Sequence, residues 1–191
     1  VRHLKAMVDK GELGDVLYIY SQRVNLGKVR RDENALWSFA PHDLSVILHL
    51  LEAEPIDVAA RGSAFLQGTV EDVVFLHLRF PGGRMAHVHV SWLDPHKLRK
   101  ITVVGSRKMV VFDDMEASEK IRVYDKGIDR AGQIVSYGDA LSVRSGDIMI
   151  PKLPLQEPLR IECQHFVDCV REHRKPLTDG ADGLRVVRVL D

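Results

Sequence analysis

The chain is poor in cysteine, in aromatic residues and in any excess of one charge. Only two cysteines, Cys163 and Cys169, occur in 191 residues. On the helix predicted there they stand about 9 Å apart along the axis, too far for a disulfide. They do not form a CxxC redox or metal pair either. Free thiols without a disulfide framework point to a reducing, cytoplasmic setting. Lys plus Arg and Asp plus Glu number 27 each, so the formal net charge is zero. The densest basic run, KVRR from Lys28 to Arg31, is too short to be the stripe a nucleic-acid binder carries. No apolar run can span a bilayer, and no signal peptide is visible. Neither nucleic acid nor membrane is therefore expected as a partner. No G-x-G-x-x-G follows a strand and no Walker motif occurs, so the chain alone is not expected to bind a dinucleotide.

What is present suits a globular domain. The chain is 45% hydrophobic and 28% charged, and its length suffices for one sizeable core. It starts at Val1 without a methionine and reads as an excised piece. A short helix is predicted over VRHLKAMVDK, closed by Gly11 and Gly14, then a strand over VLYIYSQRVN. From Ile56 the texture is that of strands. EDVVFLHLRF, Pro81-Gly82-Gly83 and RMAHVHVSW read as a hairpin, flanked by IDVAARGSAFL, LRKITVVGS, KMVVFDD and EKIRVYD. Residues 126–157 have no period, and a loop this long is often functional. EPLRIECQHFVDCVREHRK predicts a helix with Pro158 in its first turn, and DGADGLRVVRVLD another. The expected fold is one α+β domain: about six mostly antiparallel strands with helices on one face.

NALWSFAPHDLSVILHLL carries the sharpest local signal. Leu44, Ile47, Leu48 and Leu51 form one helical stripe, and His42 points almost directly away from it, with His49 on the same outer side. A solvated face is the plainer reading of a lone histidine. Pro41 suits the first helical position, which would put His42 among unpaired amide donors and hold it neutral, while Asp43 pushes the other way. A neutral imidazole there can share a proton with a substrate hydroxyl.

A second constellation lies on the hairpin. Its register puts Phe75, His77, Arg79, Met85, His87 and His89 on the face opposite the core, with His77 across from His87. Three gathered histidines resemble a zinc site, but no orienting partners can be identified, and no metal is expected. A surface with Phe, Met and His is better suited to a subunit interface, so a homo-oligomer through the face of His77, His87 and His89 is expected.

Five stretches, in order, resemble the C-terminal domain of the Gfo/Idh/MocA oxidoreductases: GELGDVLYIYSQRVN, LWSFAPHDLS, KITVVGSRKMVVFDD, the HF pair of EPLRIECQHFVDCVREHRK, and PLTDGADGLRVVRVL. LWSFAPHDLS is similar to the branch acting on nucleotide-linked sugars, the UDP-N-acetylglucosamine and glucosaminuronate 3-dehydrogenases. The family's D-x-x-x-H helix supplies substrate-site residues, and S-F-A-P-H matches it, with Ser38 where aspartate is common and His42 in the histidine position.

The resemblance implies a glyceraldehyde-3-phosphate dehydrogenase C-terminal-like fold. It also implies that residues 1–191 are the substrate-binding and oligomerisation domain of an NAD- or NADP-dependent dehydrogenase. The family's Rossmann half, with its nicotinamide site and E-K-P lysine, is not in this chain, so the fragment alone is expected to bind no cofactor and to be inactive. His42 is then the catalytic partner of that lysine. Arg23 and Asn25, at the end of the first strand, and His96 and Lys97, after Trp92, join Ser38 as substrate-binding candidates. Arg23 is also suited to a carboxylate or phosphate. The alternatives are a non-catalytic assembly and binding module, or a dehydrogenase of free sugars or inositols.

Overall fold

A computed structural model describes residues 1–27, 29–130, 141–154 and 156–191, without the side chains of 128–130 and 141–142. The order of elements is α1 (Arg2–Asp9), β1 (Val16–Val24), α2 (Ala35–Leu51), β2 (Asp57–Ser63), β3 (Val73–Arg79), β4 (Met85–Ser91), β5 (Leu98–Gly105), β6 (Met109–Asp113), β7 (Ile121–Arg130), β8 (Leu141–Met149), α3 (Pro158–Arg171) and α4 (Gly180–Leu190). The strands form one sheet in the order β2-β3-β4-β1-β5-β6-β7-β8. Among the described residues only the β1–β4 ladder is parallel; the other six are antiparallel. The α+β fold matches expectation.

The strand count does not. Among the described residues eight strands replace about six, and the last lies inside the stretch expected to be loop. Residues 143–149 of β8 are almost wholly exposed at the sheet edge, so no buried face imposes an alternation that could be read. The segment VRSGDIM is therefore ladder, paired along β7. The stretch 131–140 lies outside the described residues.

α2 lies across β1, β3 and β4, with α1 and α4 beside it. Its Leu44, Ile47, Leu48 and Leu51 are buried against Ile19 of β1, Leu76 and Leu78 of β3, and Val88 and Val90 of β4. Each such side chain contributes roughly 1.5–3 kcal/mol when fully buried. Among the described residues no helix is long and apolar enough to cross a membrane.

The helix begins six residues before the expected start. Asn34 caps it, its side chain accepting from the Trp37 amide at 3.0 Å, while the Ala35 amide donates to the Glu71 carbonyl at 2.9 Å. Pro41 is thus inside the helix, where it lacks the N–H that would meet the Trp37 carbonyl. His42 is in the third turn rather than at a helix end.

Two of the quoted sequence stretches meet directly. Gly14 has φ +72°, and a Cβ there would fall 2.3 Å from Ser106 Oγ; a Cβ on Gly105 would fall 2.3 Å from the Leu13 carbonyl oxygen. That close approach lets the Ser106 amide donate to Asp15 O at 2.8 Å and Ser106 Oγ accept from the Asp15 amide at 2.9 Å. The glycines of GELGD and VVGS are therefore coupled by sterics.

Candidate functional site

The C-terminal end of β1, the third turn of α2 and the start of β5 enclose a cleft of about 110 Å3. Its polar lining is Arg23, Asn25, Ser38, His42, Lys97 and Arg99, and Val24, Phe39 and Leu98 form apolar walls. Ser38 and His42 share a helix face because they are four residues apart. The core stripe on the opposite face fixes the helix rotation, and this leaves His42 exposed.

Asp43, by contrast, is buried, with a side chain only 1% exposed. Arg23 reaches it from β1 with two bonds, Nε donating to Oδ2 at 2.8 Å and Nη2 to Oδ1 at 3.3 Å. Burial pushes the Asp43 carboxyl above the usual aspartate range, against the downward pull of the Arg23 guanidinium. Arg99 stands directly opposite Arg23 in the β1–β5 ladder. The outer side of Arg99 approaches Asp114 at 3.9 Å.

His42 is held below the usual imidazole range, first by partial burial, then by the Arg23 and Arg99 charges, with Asp43 opposing. The neutral state expected for it therefore has a different cause. No helix terminus is involved; desolvation and two guanidinium groups favour the uncharged ring.

Asn25 is tied at its backbone, its amide donating to Ser91 O at 3.1 Å. Its Oδ1 is buried and has no hydrogen-bond partner among the described residues. An unpaired acceptor in a cleft wall invites a donor from a bound molecule.

Five of the six sequence candidates meet here: Arg23, Asn25, Ser38, His42 and Lys97. His96 does not. Its side chain is 76% exposed and turns to Asp94, which accepts from the His96 amide at 2.8 Å. Arg23 is also less free than expected, because Asp43 occupies its Nε and Nη2. Asp43 and Arg99 were not among the candidates. Arg99 becomes visible only from the strand register, and Asp43 only as the answer to what a half-buried Arg23 pairs with. His49, two turns beyond His42, lines a separate cavity between α2 and α3 with Val46, Ile161 and Leu177.

On the opposite face of the sheet the hairpin register is as expected: His77 is paired with His87 and Phe75 with His89. Among the described residues no group of three or more His, Cys, Asp or Glu is placed to hold a metal ion.

A model of the GFO/IDH/MocA C-terminal domain matches residues 1–111, which include every residue of the cleft. The chain belongs to this family. Solved structures agree in fold. UDP-N-acetylglucosamine 3-dehydrogenase GnnA from Acidithiobacillus ferrooxidans superposes with a TM-score of 0.73 at 22% identity, covering 98% of this chain and 59% of that one. Aldose-aldose oxidoreductase from Caulobacter crescentus gives 0.73 at 20% identity, covering 98% and 55%. A protein assigned as an oxidoreductase from Magnetospirillum magnetotacticum MS-1 gives 0.74 at 27% identity, covering 98% and 58%. The chain thus spans less than two thirds of the length of these neighbours. No curated protein sequence matches it significantly.

Proposed function

We propose that the whole protein is an oxidoreductase that moves hydride between an alcohol carbon of a sugar or nucleotide-linked sugar and NAD or NADP. Residues 1–191 supply the substrate side of the site. The convergence of His42 with Asn25, Ser38, Lys97 and Arg99 in one cleft, in a chain of this family, carries the reading. The sugar enzymes among the structural neighbours support the substrate class.

The start of α2 does not suit the phosphates of a dinucleotide. The loop before α2, residues 26–34, has a single glycine, and Asn34 caps its own helix, so the sequence at this helix start is not a glycine-rich anion cradle. The cofactor, where bound, accepts or delivers the hydride, and we assign its binding to a part of the protein outside this chain. Here, the uncharged His42 ring hydrogen-bonds the reacting hydroxyl and shares its proton. Asn25 Oδ1 accepts from a neighbouring hydroxyl, and Ser38 offers a further donor one turn back. Lys97 and Arg99 give the cleft a positive charge suited to a phosphate, whereas Arg23 chiefly orients α2 through Asp43. A cleft of about 110 Å3 is small beside the several hundred Å3 of a complete ligand site, as suits one wall of a shared pocket.

Assaying nicotinamide reduction by the whole protein over UDP-linked sugars, free aldoses and inositols tests this reading. Turnover of a UDP-sugar above the others is expected. A preference for free sugars or inositols would select the alternative substrate class, and no turnover of any would leave the domain a binding and assembly module.

The exposed sheet face favours a second, compatible role. Tyr18, Tyr20, Phe75 and Met85 are each 38–53% exposed there, apolar side chains interleaved with His87 and His89 that a second copy of the protein would cover.

A further inference from the structure

The same open face holds a chemistry that neither role uses. His77 and His87 are direct cross-strand partners. Their ring centroids lie 4.6 Å apart and their Nδ1 atoms 3.4 Å apart. That separation is long for a hydrogen bond. It is also the span of two nitrogens on one tetrahedral ion: at metal–nitrogen distances of about 2.0–2.1 Å they lie about 3.3–3.4 Å apart.

We infer that His77 and His87 form a two-point site for a borderline divalent transition-metal ion, zinc above all, bound through both Nδ1 atoms with water completing the shell. Imidazole nitrogen suits such ions, and adjacent, paired strands fix the spacing without help from a loop. Phe75 flanks His87 from one side. It stacks on His89 at 4.4 Å and 15° and lies near-parallel to His87 at 6.1 Å and 19°. The nearest cation along β3, Arg79, is occupied by Asp57 at 3.0 Å. No third ligand converges among the described residues, so the site is an open chelate in the single chain, and a second copy on this face would border it. It is on the face of the sheet away from α2 and does not depend on the proposed redox reaction.

Calorimetric titration of this chain with zinc alone, near neutral pH, tests the inference. One ion per chain is expected. His77→Ala and His87→Ala should each weaken binding by at least the roughly tenfold that follows loss of even a residue that merely orients a ligand. His89→Ala should leave it nearly unchanged. Imidazole resonances of the unmodified chain give a second readout that needs no variant: zinc should shift those of His77 and His87 together. Absence of binding, binding that survives both substitutions, an equal loss in His89→Ala, or shifts that spare either ring would overturn it.

Discussion

Arg23 and Asp43 form a two-bond ion pair between β1 and α2, one residue away from His42 in sequence. The pair fixes the height and rotation of the third helical turn against the strand end. It also brings a guanidinium close enough to His42 to lower its proton affinity. One contact thus acts on both the position and the charge state of the imidazole.

Removing one partner of that pair should cost far more than removing both. Arg23→Met leaves a buried carboxylate without its cation and should cost about 3–5 kcal/mol in denaturant unfolding. The double variant Arg23→Met/Asp43→Leu should recover most of that loss, since a buried pair is often replaceable by apolar side chains. Equal destabilisation of the single and double variants would show that packing, not charge, dominates here.

Stability should fall on the acid side of neutrality. His42, His87 and His89 are all held below the ordinary histidine value. In each case the unfolded chain binds the proton more readily. The contribution is therefore fully present above about pH 6.5 and is lost as pH falls through the lower folded-state values. Asp43, shifted upward, has the opposite sign and acts near the carboxylate range. Thermal melts between neutrality and about pH 5 should show a falling Tm. The triple change of His42, His87 and His89 to Gln should flatten that slope, and an unchanged slope would deny these rings the effect.

Much of the fold was legible because burial writes a period. The stripe Leu44, Ile47, Leu48 and Leu51 fixed the outward direction of His42 whatever residue began the helix. The β3–β4 alternation likewise fixed the His77–His87 pairing. The start of α2 was misread because Pro41 is welcome in a first turn, and the true cap depends on Glu71, 37 residues on from Asn34. β8 was invisible because an exposed edge strand has no inner face. Within the site, Arg23 and Asn25 came from the family resemblance at the end of β1, whereas Arg99 enters only through β1–β5 pairing. His96, like Lys97, came from the family resemblance after Trp92, but Asp94 draws it into its own turn.

The cationic wall should discriminate among substrates. Arg99→Ala and Lys97→Ala in the whole protein should raise KM for a diphosphate-linked sugar by about tenfold, on the scale of one charge-assisted hydrogen bond. They should change KM for an uncharged sugar little. Steady-state kinetics with both substrates checks this, and parallel changes in the two would remove phosphate recognition from the account.

The open face should govern assembly. Tyr20, between His87 and Thr102 in the sheet register, is 38% exposed. Tyr20→Glu would leave a charge without a partner in any interface built on this face. Light scattering should show the oligomer of the whole protein shifted toward monomer, with the melting temperature of the isolated chain nearly unchanged. An oligomer that persists would move the interface elsewhere.

Turnover by His42→Ala in the whole protein tests most directly whether His42 exchanges a proton with the substrate. Loss of an acid–base partner should lower kcat by about 10²-fold or more. The melting temperature should hardly move, because the ring makes no core contact. His49→Ala, on the same helix but in a different cavity, should retain most activity. A His42→Ala enzyme as active as His49→Ala would contradict the account and leave His42 a solvated surface residue.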